Sequence, residues 1–158
     1  MAKEQGFAIL IVEDQPLIAS NVENVVREFG ASVVGSAARL SDALTLIETA
    51  SWDAALLDVK LAQGEAVYPA AERLQAMDVP FAFLTAWDGE IDARYSDVPV
   101  LRKPFSEAEL ESCLQTLIAR GVHRATRRGV SSTGGQPATD QLGYRSDAGP
   151  RPASSSAR

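Results

Sequence analysis

Five polar residues stand where the apolar segments of this sequence end. Glu13 and Asp14 follow the first apolar run, and Asp58 closes the third. Thr85 follows the fourth run, and Lys103 follows the fifth. If these runs are parallel strands, their carboxyl ends meet at one edge of the sheet. The sequence therefore predicts three carboxylates, one hydroxyl and one ammonium group at a single edge.

This set of groups favours phosphoryl chemistry. Three carboxylates in one pocket repel each other unless a cation lies among them, and carboxylate oxygens without neighbouring His or Cys suit Mg²⁺, with Mn²⁺ as an alternative. A bound metal would offset charge on an incoming phosphoryl group. Asp58 would be the nucleophile that forms an aspartyl phosphate. Lys103 would supply a point charge and Thr85 a hydrogen bond to the same group.

The segments that must position these residues alternate between strands and helices. Continuous apolar runs are typical of strands buried on both faces, and apolar residues recurring every three or four positions indicate amphipathic helices. The predicted strands are 7–12, 32–35, 53–58, 81–84 and 98–101, and the predicted helices are 16–29, 40–47, 66–77 and one that begins after a capping box at Ser106 and Glu109.

Strands that alternate with helices of this length predict an α/β fold. Parallel strands need long crossover connections, and a helix in each crossover covers one face of the sheet. We expect a flavodoxin-like, doubly wound, parallel five-stranded sheet of order 2-1-3-4-5. In that topology the crevice for chemistry lies at the carboxyl ends of the first and third strands.

Four short motifs in this order resemble the receiver domain of two-component response regulators. Together they span about residues 6–120. The motifs are Ile9-Leu10-Ile11-Val12-Glu13-Asp14, Leu56-Leu57-Asp58, Leu84-Thr85-Ala86 and Lys103-Pro104-Phe105.

The resemblance implies a role for each residue of the set. Asp58 would accept a phosphoryl group from a histidine kinase, and Thr85 and Lys103 would sense it. The ligands of Mg²⁺ would be Glu13, Asp14, Asp58 and the backbone carbonyl of Lys60. The resemblance also implies a cis Lys103–Pro104 bond. A receiver domain is a phosphoacceptor with at most slow self-dephosphorylation, so no enzyme activity is expected.

The sequence departs from the common receiver pattern at several positions. Ala62 and Ala66 stand where many receivers have Pro and Gly, and Val100 replaces an aromatic switch residue. Because residues 86–102 form a shorter connection than usual, the fourth helix is predicted to be short or irregular. Val100 has few rotamers to switch between, so we expect residues 86–97 to rearrange on phosphorylation instead.

Part of the sequence is similar to a subfamily of stand-alone regulators that carry a Phe-Ala-Thr-Gly-hydrophobic-Tyr motif. Phe83 and Thr85 fit this motif, while Ala86 replaces its Gly. Members of the subfamily are often linked to alphaproteobacterial kinases of the HWE type. The resemblance therefore implies a histidine kinase, of HWE type, as one partner and an unidentified downstream protein as another.

Composition limits the other functions that are possible. The 158 residues, 46% of them apolar, can form one core of ordinary size. No apolar run reaches the ~20 residues of a membrane span, and the single cysteine fits a reducing, cytoplasmic setting. The net charge of −6 argues against nucleic acid as a partner.

Residues 121–158, rich in Ser, Gly, Pro and Arg, are predicted to form a disordered tail after a receiver domain at 1–120.

Two alternative functions stay open from the sequence. A haloacid-dehalogenase-like phosphatase also uses an Asp nucleophile and Mg²⁺, but it carries that Asp on the first strand with a second Asp two residues later. In this sequence the candidate nucleophile, Asp58, is on the third predicted strand, and Lys60 stands two residues after it. The chain could also be an interaction module that is never phosphorylated. The Gly-rich Lys-Ser/Thr motif of P-loop enzymes does not occur.

Overall fold

The computed structural model describes residues 6–86 and 89–132, with side chains as far as residue 123. Five parallel strands form one sheet in the order β2-β1-β3-β4-β5. This topology confirms the predicted fold class. The strands are β1 (Ala8–Val12), β2 (Ser32–Ala37), β3 (Ala54–Asp58), β4 (Phe81–Thr85) and β5 (Val100–Arg102).

Four α-helices connect or follow these strands. They are α1 (Pro16–Phe29), α2 (Leu40–Thr49), α3 (Tyr68–Ala76) and α4 (Glu107–Ser132). Pro16 begins α1, where its missing N–H costs no hydrogen bond, and Gly30 ends that helix with a φ of 101°. At the start of α4, the Glu109 carboxylate accepts from the Ser106 N–H, and Ser106 Oγ accepts from the Glu109 N–H. These two bonds confirm the predicted capping box.

The sheet separates two hydrophobic clusters. Successive residues of a strand point to opposite faces, so Leu10 and Val12 lie on the face covered by α2 and α3, while Ile9 and Ile11 lie on the face covered by α1 and α4. β3 and β4 contribute buried residues to both clusters in the same alternating way. Burial on both faces explains why these strands are apolar throughout.

The connection between β4 and β5 is irregular in its described part, as predicted. Between residues 89 and 99 it contains one turn of 3-10 helix, Ala93–Tyr95, in place of an α-helix. The Val98 N–H donates to the Tyr95 carbonyl, so Val98 belongs to this turn. β5 therefore begins at Val100, after Pro99, and not at 98 as predicted. Residues 87 and 88 of the segment expected to rearrange lie outside the described residues.

The last helix corrects the predicted start of the tail. α4 continues to Ser132, so residues 121–132 are helical and not disordered. The remainder of the predicted tail, 133–158, lies outside the described residues. In the part of the chain that the structure describes, we find no helix that is both long enough and apolar enough to span a membrane.

Gly35 on the edge strand β2 is required by the tryptophan packed against it. A Cβ atom at Gly35 would lie 2.9 Å from Trp52 Cη2 and 3.3 Å from Leu46 Cδ1. The indole cannot easily move away, because its Nε1–H donates to the Leu46 carbonyl at 3.1 Å and the side chain is buried.

We predict that Gly35→Ala destabilises the domain by about 1–3 kcal/mol through this overpacking. The thermal midpoint, followed by circular dichroism, should fall by roughly 4–8 °C per kcal/mol. Ser36→Ala, at the adjacent exposed position, is the control. It should change the free energy of unfolding by no more than about 0.5 kcal/mol, so its thermal midpoint should stay close to that of the wild type. Equal midpoints for the two variants would show that the Trp52 contact does not constrain β2.

Candidate functional site

The predicted site residues lie together at the carboxyl edge of the sheet. Glu13 directly follows β1, Asp58 is the last residue of β3, and Thr85 is the last residue of β4. Lys103 directly follows β5, and its backbone N–H donates to the Thr85 carbonyl at 2.9 Å. The sheet topology alone brings these residues, far apart in sequence, to one edge.

Lys103 is the centre of the site. Its Nζ lies 2.6 Å from Glu13 Oε2 and 3.0 Å from Asp58 Oδ2, so one ammonium group bridges two carboxylates. All three side chains are nearly removed from water, with exposed fractions of 9%, 0% and 7% for Lys103, Glu13 and Asp58. The two ion pairs are therefore weakly screened.

A third carboxylate completes an acidic cluster. Glu13, Asp14 and Asp58 each offer one carboxylate oxygen, and these oxygens lie within 4.8 Å of one another. Three hard oxygen donors at such distances fit the ligand preference of Mg²⁺ or Mn²⁺. The cluster contains three carboxyl groups, and the Lys103 ammonium pairs with two of them, so the group retains negative charge that a cation can offset.

Burial and pairing shift the protonation of this group. Burial raises the pKa of Glu13 to about 7, the Lys103 hydrogen bond opposes this rise, and the nearby charge of Asp58 adds to it. Burial also works against the charged form of Lys103, but its hydrogen bonds to Glu13 and Asp58 prevail and raise the pKa of Lys103 above its ordinary value. The ammonium form of Lys103 is thus firmly held between the carboxylates.

The second oxygen of Asp58 is held by the chain that follows it. Asp58 Oδ1 accepts from the Lys60 backbone N–H at 3.2 Å. The two oxygens of Asp58 therefore have different partners, one backbone amide and one ammonium. Coordination of a metal by the Lys60 carbonyl stays a prediction.

Thr85 is buried in β4, with 1% of its surface exposed. The Lys103–Pro104 peptide bond is cis, as the resemblance implied. Val100, at the position of the family's aromatic switch residue, is 39% exposed at the sheet edge. The aromatic residue missing at that position is not replaced by another on β5.

A cluster of four aromatic rings on the α2–α3 face of the sheet was not found from the sequence. Tyr95, 1% exposed, stacks on Tyr68 with ring centroids 5.6 Å apart and an interplanar angle of 5°. Phe81 and Phe83 on β4 pack edge-on against Tyr95. No local pattern could reveal this cluster, because Tyr95 lies in a segment without apolar periodicity.

A groove of about 340 Å³ lies against the site between α1 and the residues after β5. Ile18 and Asn21 line one side, Pro104 and Phe105 line the other, and Lys103 borders the groove. Leu17, the second residue of α1, is 85% exposed. An apolar surface is thus available to a partner beside the acidic cluster.

We predict that Lys103→Met, measured in EDTA at pH 7, lowers the free energy of unfolding by about 3–5 kcal/mol. The variant leaves the buried Glu13 and Asp58 carboxylates without their shared cation, and breaking a buried pair has a cost of this size. Lys60→Met, which removes an exposed ammonium nearby, is the matched control for urea unfolding. Similar losses in both variants would show that Lys103 contributes no more than an ordinary surface lysine.

The family model of the response regulator receiver domain matches residues 9–115. Among curated proteins, the phyllosphere-induced regulator PhyR of Methylorubrum extorquens is 29% identical over 118 residues, which cover 72% of this chain and 44% of PhyR. The transcriptional regulatory protein PdtaR of Mycobacterium tuberculosis is 29% identical over 116 residues, which cover 71% of this chain and 57% of PdtaR. The chain thus spans about half the length of these curated relatives.

The solution structure of SdrG from Sphingomonas melonis Fr1 is similar over nearly its whole length. It is 40% identical, has a TM-score of 0.66, and the match covers 75% of this chain and 99% of SdrG. Together with the position of Asp58 on β3, this likeness sets the phosphatase alternative aside. The chain belongs to the receiver domains of response regulators, which are signalling modules and not enzymes.

Proposed function

We propose that this chain accepts a phosphoryl group on Asp58 from a histidine kinase in a Mg²⁺-dependent reaction. The phosphorylated form then signals by binding a partner protein or drains phosphoryl groups from the kinase. The observation that carries the proposal is the Asp58 carboxylate at the sheet edge, paired with Lys103 and within a cluster of three acidic side chains. We place the reaction in the cytoplasm, and the kinase is proposed to be of HWE type.

The transfer itself needs few groups. A carboxylate oxygen of Asp58 attacks phosphorus, and the bond between phosphorus and the donor imidazole nitrogen breaks. The bonding electron pair returns to that nitrogen. Lys103, whose ammonium already contacts Asp58, stays beside the new acyl phosphate and pairs with its oxygens. Thr85 is proposed to donate a hydrogen bond to the same oxygens.

Glu13, Asp14 and Asp58 would hold the metal, with the Lys60 carbonyl as a further ligand. When bound, Mg²⁺ or Mn²⁺ supplies positive charge that offsets the charge on the phosphoryl oxygens. The fold holds these oxygen ligands close together before a metal binds, because β1 and β3 are adjacent and parallel in the sheet. Lys103 keeps the cluster compact by neutralising part of its charge.

The groove beside Lys103 supports a protein donor over a small one. Exposed Leu17 and the apolar walls at Ile18 and Phe105 offer contact area that a donor such as acetyl phosphate would not use. A kinase domain could bury this surface while presenting its phosphohistidine to Asp58. The alternative function, an interaction module that is never phosphorylated, has no need of the acidic cluster.

We predict that incubation with acetyl phosphate and Mg²⁺ adds one phosphoryl group to the protein, detected by intact mass, and that Asp58→Asn abolishes the addition. The amide is a poor nucleophile and cannot form the acyl phosphate. Asp42→Asn, on the exposed first turn of α2, is the matched control and should be modified like the wild type. Modification of Asp58→Asn at the wild-type level would refute the assignment of the phosphoacceptor.

We predict that MgCl₂ raises the thermal midpoint of the wild type and that Asp14→Asn weakens the apparent affinity at least about tenfold, or roughly 1.4 kcal/mol. The variant removes one carboxylate ligand of the cluster and leaves the Lys103 pairs in place. Asp42→Asn again serves as the control. An unchanged Mg²⁺ affinity in Asp14→Asn would place the metal elsewhere.

A further inference from the structure

Tyr68 spans the two segments that leave the carboxyl edge of the sheet beside the candidate phosphoacceptor. It is the first residue of α3, which follows the loop after Asp58. Its hydroxyl oxygen accepts from the Asp92 backbone N–H at 3.2 Å, and Asp92 lies in the segment that follows Thr85. One side chain thus bridges the β3–α3 and β4–β5 connections.

Ring contacts connect Tyr68 to residues 89–97 and to the sheet. The Tyr68 ring stacks on Tyr95 in the 3-10 turn and packs edge-on against Phe83 at 6.1 Å. Stacked and edge-on aromatic pairs of this kind each stabilise by about 0.5–1.5 kcal/mol beyond the burial of area. Tyr68 therefore helps to set the position of the turn, together with Phe81 and Phe83, which pack against Tyr95.

Backbone hydrogen bonds connect Tyr68 to the side of Asp58. The Lys60 backbone N–H donates to Asp58 Oδ1, and Lys60 forms an isolated antiparallel bridge with Ala66. The Leu61 N–H donates to the Glu65 carbonyl at 2.8 Å, which closes the loop between these two residues. These contacts link Lys60 to the start of α3, so a displacement at Lys60 would reach that helix through the closed loop.

The Tyr68 ring has space to respond to such a displacement. A cavity of about 100 Å³ lies between Tyr68 and the loop, lined by Val59, Lys60, Gly64 and Ala66. Residues 62–66 of the loop are exposed, so the loop can shift without displacing core side chains.

Phosphorylation would disturb the start of this chain of contacts, an argument that rests on the function proposed above. The acyl phosphate uses one carboxylate oxygen of Asp58 as its bridging atom, and the carboxylate charge is lost. The two present partners of Asp58, the Lys60 amide and Lys103, cannot both keep their contacts with equal strength. A change of contact at Lys60 is the differential interaction that a conformational response requires.

We propose that Tyr68 couples the phosphorylation state of Asp58 to the conformation of residues 89–97, through its hydroxyl contact with the Asp92 amide and its stack on Tyr95. It takes over the relay that Val100, short and exposed on β5, cannot provide. Tyr68 is a positioning residue, and it takes no part in the transfer of the phosphoryl group.

The test compares amide hydrogen exchange of residues 89–97 with and without acetyl phosphate and Mg²⁺, while intact mass records phosphorylation separately. Tyr68→Phe should be phosphorylated like the wild type but should show a smaller phosphorylation-dependent change in exchange, because Phe keeps the stack on Tyr95 and loses the hydroxyl contact. Its Asp92 amide should exchange about fivefold faster before phosphorylation, the factor for one ordinary hydrogen bond. Tyr95→Phe removes the hydroxyl from the other ring of the stack and should behave like the wild type.

A second pair of variants tests the same contact from its other end. Asp92 has a φ of −47°, which is close to the range that proline adopts, so Asp92→Pro removes the donor N–H. Asp92→Ala removes the side chain that accepts from the Arg94 N–H and keeps the backbone donor. We expect Asp92→Pro to behave like Tyr68→Phe, and Asp92→Ala to respond like the wild type.

The outcomes separate this proposal from the proposed function. A wild type that gains no phosphoryl group from either acetyl phosphate or a histidine kinase refutes the function itself. If the wild type is phosphorylated, the coupling is refuted by an unchanged exchange of residues 89–97, or by a full response in both Tyr68→Phe and Asp92→Pro. Loss of phosphorylation in folded Tyr68→Phe also refutes it, because the residue would then act on the chemistry.

Discussion

The ammonium group of Lys103 between two buried carboxylates is the interaction on which the site depends. Glu13 and Asp58 are almost fully removed from water, and two buried carboxylates without a cation would cost several kcal/mol each. Lys103 reduces that cost but leaves the cluster with Asp14 short of positive charge. The ion pairs therefore lower the cost of burying Glu13 and Asp58, while the negative charge that remains in the cluster favours a bound cation.

The parallel sheet is what makes this arrangement possible. Glu13, Asp58 and Lys103 each lie at the carboxyl end of a different strand, and the sheet order places β1, β3, β4 and β5 side by side. Two hydrophobic clusters, one on each face, hold the strands in register. The apolar interior thus stabilises the fold strongly enough to tolerate a group of buried charges at one edge.

The sequence predicts those parts of the structure that local patterns determine. Strand ends mark Asp58 and Lys103, and the spacing of Ser106 and Glu109 marks a helix start, because each signal is contained in a few residues. The extension of α4 past residue 120 has no apolar stripe to reveal it. A helix that is already nucleated gains one hydrogen bond for each added residue, so it can continue past the last apolar position of the sequence pattern.

Tyr68 and Tyr95 show why the remaining features needed the structure. Their contact depends on the path of an irregular segment, and no periodicity encodes that path. The exposed Val100 on β5 indicates only that the family's aromatic switch residue is absent from this position. The stack at 5.6 Å and the hydroxyl contact with Asp92 show where a mechanical connection exists instead. In this chain the Tyr68 ring joins the connection after Asp58 to the segment after Thr85, and this contact is where we place the coupling that Val100 cannot provide.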